Sequence, residues 1–298
     1  MAPLYYFFAL LAPALWAGNF VVARAVHEPF PPLTLNCFRW LVAAAALVPL
    51  FGRSAWHARR ELKANWKWIV LLGLTGVVGF NSTLYLGLQH TTAVSAAMIF
   101  SITPLIIIVL SACLCGTYIS RAQTGAVLLS VSGALVVLGR HFNTVSSEFS
   151  GDLIVLVSCL IWASYCVLIK TVQIKADSGA ILLTTVLFGL LIQLPLSISE
   201  IAIVGMPTID LSGLAAILYL GGGAAALAFF VWQNAVAELG PASCGVFLNL
   251  IPVFGVALSM TFLGEHLATH HVLGAICVAT GIGLAQINWQ PRLRSSPE

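Results

Sequence analysis

The chain has 298 residues, 60% of them hydrophobic and 8% charged, and a formal net charge of +3. A water-facing surface needs roughly a quarter of its residues charged, so a soluble globule is excluded, and the same hydrophobicity excludes disorder. The charge is too small and too scattered for a nucleic-acid binder, and a mean hydropathy of +1.00 belongs to a chain dissolved in lipid.

A bilayer core of about 30 Å takes about 20 apolar residues per helix. By that rule spans fall at 4–25, 33–51, 67–88, 93–115, 121–139, 152–174, 179–199, 212–237, 241–263 and 270–289. The opening MAPLYYFF lacks the basic stretch of a cleavable signal, so its apolar run is read as the first span. Turn residues separate the spans: Pro29, Pro31 and Pro32 before the second, Asp177-Ser178-Gly179 before the seventh, Gly240-Pro241 before the ninth. These are long continuous runs, not the alternating ten-residue segments of a β-barrel. The expected fold is all-α, with ten transmembrane helices.

Basic residues orient it. Arg53, Arg59, Arg60, Lys63, Lys67, Arg121, Lys170, Lys175, Arg292 and Arg294 fall on one side of a ten-span chain, and only Arg24 and Arg140 on the other. The positive-inside rule then puts both termini in the cytoplasm. The seven cysteines all lie in apolar runs with no CxxC pair, which reads as packing and not as metal or disulfide chemistry.

The chain also repeats itself. Residues 97–117, AMIFSITPLIIIVLSACLCGT, align with 245–265, GVFLNLIPVFGVALSMTFLGE, at a shift of 148 that pairs Pro104 with Pro252 and Gly116 with Gly264. Near the start of each half the shift is 146 and pairs Trp16-Ala17 with Trp162-Ala163. Two units follow, 1–140 and 141–298, with five spans each. An odd number of spans per unit makes the second enter the membrane from the opposite face, so the halves are inverted. Inverted halves can exchange conformations around one site, which is the architecture of carriers.

Several residues are candidates for that site. Trp16 and Trp162 lie within about 3 Å of their span centres, at 1.5 Å rise per residue, although tryptophan prefers the membrane interfaces. Asn19 and Tyr165 follow three residues later on the same helix faces. Pro104 and Pro252 are mid-span, where each frees a carbonyl four residues back and marks a kink or hinge. Ser101, Thr103 and Asn249 flank those kinks. Asn81, Ser82 and Tyr85 in the third span and Gln233 and Asn234 in the eighth are polar groups that need partners in hydrocarbon, another helix or a ligand. Arg39 is the one strong charge well inside a span; it either snorkels into a structural pairing or anchors a substrate carboxylate.

Tyr85-x-Gly87-Leu88-x-x-Thr91-x-Ala93, Pro104, Gly116, Gly125 and Gly133 form a pattern that the second half repeats as Gly240-x-Ala242, Pro252, Gly264-Glu265, Gly274 and Gly281. With Arg39 early in the second span, this resembles the EamA-type transporters of the drug/metabolite transporter superfamily, and within it the bacterial exporters of aromatic and other neutral amino acids. One departure is Gly116-Thr117, where the family has Gly-Glu. The resemblance implies an inner-membrane exporter and a structural pairing for Arg39.

What is missing narrows the function. Asp152, Glu200, Glu238 and Glu265 fall near span ends, and no Asp, Glu or His sits at a span centre, so no proton relay of carboxylates is expected at the midplane. Glu265 and His266 read as capping or interfacial groups. There is no HExxH, GxSxG or P-loop, so the chain is read as neither an enzyme nor an ATP-driven pump. No cofactor and no metal are expected, and the partners are a small-molecule substrate and the lipid bilayer, with no nucleic acid, for a monomer. The expectation is a secondary carrier that exports amino acids by alternating access; export of other amphipathic metabolites or lipophilic cations, or a membrane-embedded channel or enzyme, are the alternatives.

Overall fold

A computed structural model of the chain describes residues 2–115, 124–125, 128–129, 132, 147–172, 174–239, 247–248, 250–269, 272–273, 276–277 and 280, and every regular element among them is helical. Seven of these helices are long and apolar enough to cross a membrane: Pro3–Ala25, Pro32–His57, Trp66–Leu88, Ala93–Leu114, Ser147–Ile169, Ser178–Val204 and Leu211–Trp232; Leu250–Phe262 is a shorter apolar helix. They correspond to the first four expected spans, the sixth to the eighth, and the end of the ninth. The fifth and tenth spans, 121–139 and 270–289, lie largely outside the described residues, as do Gly116, Thr117, Gly133, Gly240, Pro241, Ala242, Gly274 and Gly281.

Local chemistry sets the helix starts. Pro32 opens the second helix at a position where its missing N–H costs nothing. The Thr92 hydroxyl accepts from Ser95 N, the Asp177 carboxylate from Ala180 N at 3.2 Å, and the Asp210 carboxylate from Gly213 N at 2.7 Å. Each cap satisfies a donor that the first turn would leave bare. The second, sixth and seventh helices run about five residues beyond their expected ends, to His57, from Ser147 and to Val204. A helix does not stop where its apolar run stops, because backbone hydrogen bonding continues into the interfacial zone.

The third and eighth spans each change winding midway. Gly73–Gly79 and Tyr219–Leu227 are π-helical, at equivalent places in the two halves. The wider π turn releases carbonyls from the regular ladder, and side chains of neighbouring helices take them up. Val77 O accepts from Asn36 Nδ2 at 2.9 Å and Trp40 Nε1 at 3.0 Å, and Ala224 O accepts from Trp16 Nε1 at 3.1 Å. Glycine allows the close approach: a Cβ on Gly221 would lie 2.6 Å from Arg39 O.

The halves are interleaved. The Pro32–His57 helix packs along Ser178–Val204, Ala2–Ala25 packs on Ala228–Leu239 and Leu250–Phe262, and Phe80–Leu88 packs on Ser147–Thr171. Carboxylates of the second half also cap helices of the first. Glu200 accepts from Leu33 N at 3.2 Å and from Thr34 N and Oγ1 at 2.7 Å each, and Glu265 accepts from Ala93 N at 2.9 Å and Val94 N at 2.8 Å. Such a carboxylate meets both bare amides and the positive end of the helix dipole.

Candidate functional site

Between the halves lies a cavity with an empty volume of about 880 Å³, its mouth included. Its wall takes residues from both repeats and is mostly apolar, with aromatic rings from each. Trp16 meets Trp232 and Phe229 edge-on, with ring centroids 5.4 and 5.6 Å apart. Trp162 lies 4.8 Å from Phe80 and 6.3 Å from Phe229, and Phe100 closes the circle 5.8 Å from Phe80. A wall of this kind takes up an apolar or aromatic body by contact area and ring geometry.

Three polar residues of the wall, Asn19, Arg39 and Asn81, are joined through Tyr85 in one hydrogen-bonded network. Arg39, 2% exposed, donates from Nε to Leu220 O at 3.2 Å and from Nη1 to Asn81 Oδ1 and, at 3.2 Å, to the Tyr85 hydroxyl. Tyr85 passes its own proton to Asn19 Oδ1 at 2.7 Å. Leu220 belongs to the π segment of the eighth span, so the irregular winding supplies an acceptor for the buried cation. The guanidinium also lies 5.0 Å from the Trp40 ring centroid, a cation–π contact.

The span Ala93–Leu114 is broken where it meets the cavity. One helix ends at Phe100, Ser101 and Ile102 form a turn, and a second begins at Thr103. Pro104 is therefore the second residue of a restarted helix, the place where proline is tolerated. The carbonyl it frees, Phe100 O, accepts from Thr103 Oγ1 at 2.6 Å, and Ser101 Oγ donates to Met98 O at 2.5 Å. The break is thus stabilised from within by hydroxyls that also line the cavity. Pro252 also lines the cavity, as the third residue of Leu250–Phe262.

Of the residues singled out from the sequence, Trp16, Asn19, Arg39, Asn81, Ser101, Trp162, Pro104 and Pro252 line this cavity, as does Thr103. Tyr85 stands behind the wall and bonds two residues that form it. Tyr165 backs Trp162, stacked at 5.1 Å, and fills the space left by Gly76. Ser82 lies elsewhere, bonded by Asn36 Nδ2 at 2.9 Å and donating to Gln193 Oε1 at 3.3 Å in the packing between the second, third and seventh spans. Asn234 donates to Phe230 O of its own helix at 2.7 Å. Asn249 and the side chain of Gln233 lie outside the described residues.

Sequence reading passed over Phe20, Phe80, Phe100, Phe229 and Trp232 as wall residues. A signal existed for one pair: at the 148-residue shift, Phe80 falls one position from Phe229. Aromatic residues are common in apolar spans, so type alone did not separate wall from lipid face.

The comparisons with known proteins point to a membrane transporter. The model of the EamA-like transporter family matches residues 3–139 and again 149–286. A "probable amino-acid metabolite efflux pump" of Salmonella typhimurium is 24% identical over 93% of this chain and 92% of its own length. A "probable terminal-alkyne amino-acid exporter" of Streptantibioticus cattleyicolor is 26% identical over 86% of this chain and 84% of its own. The transporter YyaM of Bacillus subtilis is 24% identical over 92% and 90%. A crystal structure with a TM-score of 0.61 and 19% identity covers 95% of this chain and 96% of its own, which speaks for a shared fold. The family and these relatives are transporters, not enzymes. With two family matches that together span nearly all of its length, and with apolar helices that make it a multi-pass protein of the inner membrane, this chain belongs to the EamA-like transporter family.

Proposed function

We propose that the protein is a secondary transporter that exports amino acids, aromatic and other neutral ones, by alternating access through the central cavity. The observation that carries this is the cavity itself: it lies between the halves, takes aromatic walls from both, and is bordered by the broken helix at Pro104 and by Pro252. The names of two relatives support amino acids as cargo and the outward direction. In the proposed architecture ten helices form two inverted units, 1–140 and 141–298, with both termini cytoplasmic, and the monomer works without a cofactor.

Transport then proceeds by rocking. Cargo enters from the cytoplasm and its side chain stacks near Trp16 and Trp162. The hairpins of the third and fourth and of the eighth and ninth spans tilt, closing one face and opening the other. In this orientation the Glu200 and Glu265 caps lie on the outer side, and they are the ties that release when that side opens.

Counterflow in proteoliposomes with a panel of labelled amino acids tests this. Phenylalanine, tyrosine and tryptophan are expected to exchange and to compete with one another. Equal, slow leakage of every amino acid, without competition, would overturn the assignment. Trp16→Ala with Trp162→Ala is expected to lower exchange about tenfold, the equivalent of 1.4 kcal/mol, while the protein still elutes as a folded species in detergent. Unchanged exchange in that variant would remove the indoles from the cargo path.

A further inference from the structure

Among the described residues no carboxylate lines the cavity, and none pairs with Arg39. A guanidinium can only donate, and this fixes the direction of every bond in the network around it. Asn81 must turn its oxygen to Arg39, which leaves its Nδ2 without a partner among the described residues. Tyr85 must accept from Arg39, so it donates to Asn19; Asn19 must therefore turn its oxygen to Tyr85, and its Nδ2 too has no partner among the described residues. Arg39 Nη2 also has no acceptor among the described residues.

These three donor groups belong to side chains 2%, 2% and 4% exposed, all of which line the cavity. None is sealed inside protein in the way that Asn36 Oδ1 and Thr185 Oγ1 are. One end of the cavity thus presents a fixed positive charge and unused N–H donors. Among the described residues that line the cavity, what could meet a cation is neutral: the aromatic rings and the Ser101 and Thr103 hydroxyls, whose protons are already committed to backbone carbonyls. A buried cation without a counter-ion is costly unless an anion arrives, and Nη2 together with the two amide Nδ2 groups offers donors for the two oxygens of a carboxylate.

We propose that the Arg39 end of the cavity is a carboxylate site, and that cargo is selected by its carboxylate and its apolar body while the ammonium is dispensable. The cargo class then extends from amino acids to aromatic and bulky monocarboxylates, including deaminated and N-acylated amino acids, and lipophilic cations fall outside it. This rests on the reading of the cavity as the cargo site.

The test uses wild-type protein and a matched set of ligands. In phenylalanine counterflow, 3-phenylpropanoate and N-acetylphenylalanine should inhibit within about threefold of unlabelled phenylalanine, whereas phenylalaninamide and phenethylamine should be weaker by about tenfold or more. Inhibition by the amine or amide as strong as by the acids would overturn the proposal, and so would an inert 3-phenylpropanoate. Should phenylalanine itself show no exchange, amino-acid export fails, and the carboxylate site is judged separately by thermal melting in detergent. There 3-phenylpropanoate should raise the Tm and phenethylamine should not; the reverse order, or no shift with either, would overturn the site. In Arg39→Gln the preference for acid over amine should disappear, and Arg39→Lys should restore part of it, since an ammonium keeps the charge but cannot both fill the bonds to Leu220, Asn81 and Tyr85 and hold a donor where Nη2 stands. A preference that survives in folded Arg39→Gln assigns the anion to other donors and overturns the role given to Arg39.

Discussion

Trp16 and Trp162 occupy equivalent positions in the two halves and line the same cavity, yet they are held differently. Trp16 is tied across the molecule by its indole N–H, which donates to Ala224 O in the π segment of the eighth span. The corresponding π segment of the third span releases Val77 O one residue off the repeat offset, but there Asn36 and Trp40 occupy it. Trp162 makes no hydrogen bond among the described residues and is held by rings alone, Phe80 on one side and Tyr165 on the other. The duplicated sequence thus yields one anchored indole and one that makes no hydrogen bond among the described residues. Duplication supplies two copies of a position; neighbours decide what each copy does.

The largest test of this asymmetry lies in the glycines behind it. At the 146-residue offset Gly76 corresponds to Gly222. A Cβ on Gly76 would lie 2.5 Å from the Tyr165 ring that backs Trp162, while nothing lies within 4 Å of a Cβ on Gly222. Gly76→Ala is expected to lower stability by about 1–3 kcal/mol through overpacking, and Gly222→Ala to raise it by about 0.5 kcal/mol through reduced backbone freedom. Thermal melting of both in detergent checks this, and equal shifts would mean that the halves are packed alike.

A smaller effect addresses the indoles themselves. Trp16→Phe removes a donor and leaves Ala224 O bare, whereas Trp162→Phe removes no hydrogen bond to a described residue, so the first should be less stable by about 1 kcal/mol more than the second. Matching melting curves would show that the tie to Ala224 contributes nothing.

The smallest concerns Asp210, the cap of the eighth span, which has no described counterpart at the same place in the first half. Donation from Gly213 N and the Ser212 hydroxyl holds its carboxyl below the usual range. Because the folded value is the lower one, the stabilisation is full above the unfolded carboxylate value of about 4 and is lost as pH falls through the folded value. The melting difference between the wild type and Asp210→Ala should therefore shrink below about pH 4; a difference that grows there would assign the cap to something other than the carboxylate.

Much of the cavity was legible in advance because depth can be counted. Trp16, Trp162, Pro104 and Pro252 stand out by type and by distance along a span, and repetition strengthened each of them. Asn81 and Arg39 stood out as polar groups in hydrocarbon. Ser82 and Asn234 stood out for the same reason, yet they are placed in helix packing and on their own helix backbone. A buried amide must find a partner, but its position along the chain does not say which one.

The sequence by itself determined that the chain crosses a membrane repeatedly, that it is built from two related halves, and roughly where each described span begins, because composition, period and turn chemistry act locally. Tertiary structure alone decided the π windings that turn glycine-rich stretches into acceptors, the one-way hydrogen bonding that leaves donors free around Arg39, and the unequal fates of two equivalent tryptophans. Each of these depends on which atoms of a distant helix come within 3 Å, and that distance is set by how the helices pack against one another.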